Sequence, residues 1–292
     1  MRNRSIIAVC ALLVAISTTV RAADNKPQFL PAKSYFETLL LDPTSNQLGL
    51  GVLGYSSGES GIWEKLYIPI LMGVNKPVLR WEQDDRHGKE VGFDFLIMTQ
   101  YDIARVNREN MEQSAPMGTQ LNADYRISGW YNIRSEASTY RIRLFHQSSH
   151  LGDDFVIRKG ILGRGSNPMN YEQLDITRSV QNGYHRHYYG FGYTITPHAE
   201  RKRIAFQLGY YFSKPSSRFS DSKLIYGADV KIMEQHSYRP SIKLGIGYEL
   251  GESHRNPPRL ILEYYNGNLP YSRYEHTVVQ LLGIGLYINT PI

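Results

Sequence analysis

Ala123-Asp124-Tyr125-Arg126-Ile127-Ser128-Gly129-Trp130-Tyr131-Asn132-Ile133-Arg134 decides the fold. The odd positions, Ala123, Tyr125, Ile127, Gly129, Tyr131 and Ile133, are apolar or small. The even positions, Asp124, Arg126, Ser128, Asn132 and Arg134, are polar or charged, with Trp130 among them. Period two is the mark of a strand whose faces meet different surroundings. The same pattern returns at Ile204, Phe206, Leu208, Tyr210 and Phe212, at Leu224 to Ile232, and at Ile242 to Leu250. These runs reach about ten to twelve residues, the length of a tilted membrane strand, whereas strands of soluble sheets average about five or six.

Strand-like runs fall near 47–57, 63–73, 89–101, 122–135, 139–150, 172–181, 187–197, 203–212, 223–233, 240–250, 259–266 and 277–288. Tyrosines gather towards their ends (Tyr125, Tyr140, Tyr188, Tyr189, Tyr210, Tyr211, Tyr264, Tyr265), as an interfacial girdle requires. In hydrocarbon every backbone donor and acceptor must be paired, so a strand protein there has to close on itself. The expected fold is an all-β, closed antiparallel transmembrane β-barrel of about twelve strands, with ten as the alternative count. A barrel of that size has a small lumen filled by side chains.

The flanking sequence fits this reading. Met1 to Ala22 has a basic start at Arg2 and Arg4, an apolar run from Ile6 to Ile16, and a small-x-small end at Val20-Arg21-Ala22. Residues 1–22 therefore read as a cleaved secretory signal peptide, 23–46 as a periplasmic N-terminal segment or a plug, and 47–292 as the barrel. Cys10 lies in the leader, so the mature chain has no cysteine and no disulfide. The formal charge of +6 includes three leader arginines; the remainder has 30 basic and 27 acidic residues, too balanced for a nucleic-acid binder. After the leader no stretch approaches the 18 apolar residues of a membrane helix. The compartment expected is the outer membrane of a Gram-negative cell, and the partners are its lipids (phospholipid or lipopolysaccharide) and a second copy of the chain as a homodimer.

Topology orients one strand of special interest. The connection 102–121 is long and 135–138 is short; long loops face outward and short turns face the periplasm. The run Thr139-Tyr140-Arg141-Ile142-Arg143-Leu144-Phe145-His146-Gln147-Ser148-Ser149-His150 therefore climbs. Tyr140, Ile142 and Leu144 mark its lipid face. Arg141 and Arg143 point to the lumen, where Asp94 and Asp124 are candidate partners. Absent a bulge, His146 and Ser148 continue the lipid face. At roughly 2.6 Å of rise per residue, His146 stands about 15 Å and Ser148 about 20 Å above Tyr140, near the outer-leaflet esters. A polar pair aimed at lipid is costly, and a histidine two positions from a serine places a general base beside a nucleophile. On the descending neighbour, Leu174 and Ile176 mark the lipid face, which puts Glu172, and after it Asn170, in place to orient the imidazole. Asp153 and Asp154 offer oxygen ligands for calcium, or form a turn. A bulge at Phe145 would instead return His146 and Ser148 to a polar network at the rim.

His146-Gln147-Ser148 resembles the catalytic dyad of outer-membrane phospholipase A and is similar to the His-x-Ser arrangement of the lipid A deacylase barrel, although those families continue with Asn where this chain has Ser149. The wider run from Phe145 to Phe155, with Ser148, Ser149, His150, Leu151, Gly152, Asp153 and Asp154 at its centre, resembles the hallmark motif of the bacterial family called domain of unknown function 1207. Asn122-Ala-Asp-Tyr125 and Leu40-Leu-Asp-Pro43 look like further landmarks of that family. The resemblance implies an envelope protein with a barrel and brings no activity with it. Two functions are therefore expected in competition. One is a lipid acyl-ester hydrolase of the phospholipase or lipid A deacylase type, with Ser148 as nucleophile, His146 as base and Glu172 or Asn170 as orienter. The other is a non-catalytic structural, adhesive or narrow-channel barrel. Weaker features are His185-x-His187, read as a rim pair or two metal ligands, and Lys159, Arg164, Arg201, Lys202 and Arg203, basic groups read either as contacts for lipopolysaccharide phosphates or as a solvated surface.

Overall fold

The computed structural model describes residues 26–57, 66–103, 119–153, 156, 169–197, 201–251, 256–271 and 275–289. A short strand β1 (Gln28–Phe29) precedes twelve long ones: β2 (Leu48–Ser57), β3 (Leu66–Glu82), β4 (His87–Ile103), β5 (Thr119–Ser135), β6 (Ser138–Leu151), β7 (Met169–Asn182), β8 (His185–Thr194), β9 (Ile204–Pro215), β10 (Ser222–Met233), β11 (Pro240–Leu250), β12 (Arg259–Asn268) and β13 (Val278–Ile288). Each is antiparallel to the next, and β13 pairs back onto β2, with Ile284 opposite Val52, so the twelve strands form a closed barrel. The stretch Asn75 to Lys89, between two of the runs expected from the sequence, divides into the ends of β3 and β4 around a tight turn. There the Asp84 carboxylate accepts the backbone N–H of Arg86 and of His87, each at 2.7 Å.

The two ends differ. The connections after β3, β5 and β7 are short; those after β4 and β6 are long. The short-turn end corresponds to the periplasmic side of outer-membrane barrels. Ile127, Leu208, Ile246, Leu262 and Ile284 are more than half exposed on the outer wall, with Phe93, Phe95, Ile176 and Phe191 beside them. So extensive an apolar surface is far beyond the few hundred Å² that a water-facing surface carries.

The signal-peptide stretch lies outside the described residues. Of the two readings of 23–46, the described part from Ser34 onward lies against the inner wall. Glu90, fully buried, accepts Ser34 Oγ at 2.6 Å, Tyr35 N at 2.7 Å, Asn132 Nδ2 at 2.7 Å and Arg80 Nη2 at 2.7 Å. Leu40 and Leu41 join Leu71, Leu96, Met98, Ile225, Ile261, Tyr271 and Tyr287 in an apolar core within the barrel. Deeper in, Asp42 meets Lys231 at 2.5 Å, and Arg126 donates to Thr44 O at 2.7 Å. The short-turn mouth keeps a vestibule of about 620 Å³ beside this plug, whereas the cavity around Arg126, Arg143 and Asp175 holds about 80 Å³. Close packing of the lumen also shows at Gly209, where an added Cβ would collide with the Tyr188 ring, which crosses it to donate to Asp229 at 2.6 Å.

The lumenal charges pair differently from the sequence expectation. Arg143 binds Asp175, its cross-strand partner, at 2.6 Å, and Arg141 donates to Asn132 at 2.9 Å. Asp94 and Asp124 are taken by neutral donors: Ser128 bonds Asp94, while Asn122 at 2.7 Å, Gln147 at 3.1 Å and Ser149 at 2.7 Å bond Asp124. Arg201 also departs from its expected surface role. It is buried at the long-loop mouth, ion-paired with Glu275 at 2.8 Å and stacked over Tyr171 at 4.1 Å.

The same mouth encloses His236, which is 8% exposed. Burial, then the charge of Arg201 and that of His276, push its imidazole down to about 4. An unfolded chain protonates this histidine near pH 6.5 while the folded one does not, so stability is complete above about 6.5 and declines as pH falls towards 4. The loss is at most about 1.4 kcal/mol per pH unit. His236→Gln is expected to flatten that decline, as read from urea unfolding in detergent at pH 7 and pH 4.5.

Candidate functional site

The ladder on both sides of β6 runs without a register shift from Ser138 to Ser149. No bulge at Phe145 turns the strand over, and the alternation of the sequence continues to its top. Arg141, Phe145, Gln147 and Ser149 are buried on the lumen side. His146, Ser148 and His150 follow Tyr140, Ile142 and Leu144 on the outer face, at the long-loop end.

Register then brings the predicted orienter into place. His146 lies opposite Glu172 of β7 and Ser148 opposite Asn170. The His146 imidazole donates Nδ1–H to Glu172 Oε1 at 2.9 Å, because an ionised carboxylate can only accept. That bond fixes the tautomer and leaves Nε2 with its lone pair free to take a proton. Glu172 is itself held: Thr196 Oγ1 donates to Oε2, and Glu172 N donates to Thr196 Oγ1 at 2.9 Å. Asn170 shares the outer face without replacing Glu172 at the imidazole.

The serine hydroxyl is placed differently from the expected dyad. Ser148 Oγ lies 2.7 Å from Nε2 of His150, the next histidine up the same face, and not on His146. The His150 ring stands edge-on to Tyr125 at 6.1 Å. The motif residues divide by parity. Ser149 is buried and ties β6 to Asp124 of β5, whereas Ser148 and His150 face out. Gly152 ends the strand where an added Cβ would run into the Gln120 carbonyl oxygen, so only glycine fits. His150 is named by the sequence only as a motif residue, without a role beside Ser148, and Thr196 is not named at all. The signal for His150 was there, since His146, Ser148 and His150 stand at i, i+2 and i+4 of one face; Thr196 sits past the end of β8 and shows no pattern.

Over residues 11–289 the sequence matches the model of a family described as Protein of unknown function (DUF1207). The chain belongs to the DUF1207 family. No curated protein matches it. Among solved structures, this DUF1207 barrel is similar to the Salmonella typhi outer membrane phospholipase dimer with bound calcium. The TM-score is 0.59 at 11% identity, over 89% of this chain and 94% of that one. The outer membrane phospholipase A from Escherichia coli gives 0.55 at 11%, over 87% and 99%. An active-site asparagine-to-alanine mutant of the Escherichia coli protein gives 0.57 at 13%, over 94% and 96%. At such identities the likeness is one of fold, that of outer-membrane barrels.

The remaining candidates separate from this site. Asp153 is exposed just above it, and Asp154 lies outside the described residues. Among the described residues no group of three or more acidic, histidine or cysteine side chains gathers to hold a metal. His185 meets the Tyr210 hydroxyl at 2.8 Å and His187 packs against the same ring at 5.2 Å, at the short-turn end of the barrel.

Proposed function

We propose that this DUF1207 barrel is an outer-membrane acyl-ester hydrolase, exported by a cleaved signal peptide, that attacks lipid at the outer leaflet. The observation that carries the reading is the His146–Glu172 pair at 2.9 Å on the outer wall, with Ser148 two positions along the same face. A hydrogen-bonded imidazole–carboxylate pair placed against hydrocarbon is expensive and gains nothing for the barrel that apolar side chains would not give more cheaply. The fold likeness to the phospholipases makes phospholipid the first substrate to try.

In this reading Ser148 turns about χ1 from His150 towards His146. Its Oγ attacks the ester carbonyl as the proton passes to His146 Nε2, and Glu172 stabilises the imidazolium. The Oγ–carbon bond forms, the ester carbon–oxygen bond breaks, and His146 returns the proton to the leaving lysolipid alcohol. Water, deprotonated by the same imidazole, then releases the fatty acid and restores Ser148. The rival reading, a non-catalytic barrel whose motif shapes the outer rim, is favoured by one observation: the hydroxyl is engaged by His150 and not by the base.

The test is direct. The purified barrel in detergent micelles with diacyl phosphatidylethanolamine, with and without calcium, is expected to release fatty acid and lysolipid. A fluorophosphonate is expected to label Ser148 and no other serine. No turnover and no labelling under either condition refutes the hydrolase.

A further inference from the structure

We infer that His150 is the oxyanion donor of this site. The inference rests on the hydrolase reading and extends it to a residue with a distinct role. Acyl transfer at serine requires hydrogen-bond donors about 2.7–3.1 Å from the developing oxyanion, and backbone N–H groups usually provide them. A strand within a barrel wall has none to spare. Ser148 is paired with Tyr125 of β5 on one side and with Asn170 of β7 on the other, in unbroken register, so the local N–H groups serve the ladder. That leaves the side chains of the outer face, where Asn170 stands opposite Ser148 and His150 is the one in contact with its hydroxyl.

His150 meets the requirement. Its Nε2 lies 2.7 Å from Ser148 Oγ, and its ring is set by edge contact with Tyr125. Its neighbours on the strand, Gln147 and Ser149, are committed to Asp124 in the lumen. Glu172 has no proton to give. The two histidines also differ in the way a division of labour requires. His146 has a carboxylate on Nδ1, which places its proton there and makes Nε2 the base. Among the described residues His150 makes no such bond, so its Nε2 is free to carry the proton. In the lipid-free site that N–H donates to Ser148 Oγ. When the serine turns to His146 and attacks, the N–H is left pointing to the space beside the nucleophile, where the carbonyl oxygen becomes negative.

The experiment compares wild type, S148A, H150A and H150Q on diacyl phosphatidylethanolamine micelles, with the heat-dependent gel shift of a folded barrel as the control on structure. H150A is expected to lower kcat by roughly 10²- to 10³-fold with KM within about threefold, the signature of a donor used in the transition state. H150Q, which keeps an N–H on a flexible amide, is expected to recover at least tenfold of that loss. Two outcomes overturn the inference while the hydrolase stands: H150A within about threefold of wild type when S148A is dead, or an H150Q no better than H150A. A wild type no more active than S148A removes the hydrolase, and this role with it.

Discussion

Ser148→Ala and His146→Ala are each expected to bring lipid hydrolysis down by about 10⁴-fold or more, and the double variant no further. Nucleophile and base act as one unit, so losing either removes nearly all the benefit of both. In the proposed hydrolase Glu172 acts through the imidazole without touching substrate, so the expected loss on Glu172→Ala is smaller, roughly 10²- to 10⁴-fold in kcat. Glu172→Gln separates orientation from charge. Its amide oxygen can still accept the His146 Nδ1–H that Glu172 Oε1 now accepts at 2.9 Å, holding the ring and its tautomer without a negative charge behind it. Glu172→Gln is therefore expected to lie between wild type and Glu172→Ala. Steady-state turnover on phosphatidylethanolamine micelles and the rate of fluorophosphonate labelling check both expectations. If Ser148→Ala retains turnover, the nucleophile has been misassigned.

Twelve strands were legible because period two is a local property. Each side chain from Ala123 to Arg134 meets either lipid or lumen, and residue type records which. The signal failed where the chain left that regime. Across Pro77 and Leu79 the register of β3 shifts, which breaks the alternation and hid the end of the strand. The plug has no period at all, since Asp42, Thr44 and Ser34 meet Lys231, Arg126 and Glu90, residues far along the chain that converge only after closure. The site was legible to the extent that it is register arithmetic: a hairpin without bulges sets Glu172 opposite His146. The hydroxyl of Ser148 has a histidine at both i−2 and i+2, and the choice between them is a matter of rotamer and of the Tyr125 ring, neither of which leaves a mark in the pattern. Arg143 similarly had several acidic residues within reach; the answer, Asp175, follows once strand pairing is known.

Lys231→Met is expected to cost about 3–5 kcal/mol, because it leaves a buried carboxylate without its counter-charge. Asp42 is 5% exposed and sits inside the barrel with Lys231 Nζ at 2.5 Å and the Thr44 backbone and hydroxyl each at 2.8 Å. Burial works to raise its pKa, yet the ammonium of Lys231 and the hydrogen bonds outweigh it and hold the carboxyl well below the usual carboxylate range. A carboxyl so depressed adds stability that is complete above about pH 4 and drains away as pH falls through its folded value. Two observable results follow: wild type should lose its hold on residues 34–47 only in strong acid, whereas Lys231→Met should already release them near neutrality. Protease cleavage within that segment, read alongside urea unfolding in detergent, measures both. Asp42→Asn with Lys231→Met removes the charge and its partner together and is expected to recover most of the loss, since the cost lies in the unpaired ion and not in the missing pair. Were Lys231→Met alone as resistant as wild type, the plug would be held by Leu40, Leu41 and the Glu90 cluster at the short-turn mouth, and the Asp42 pair would be incidental to its retention.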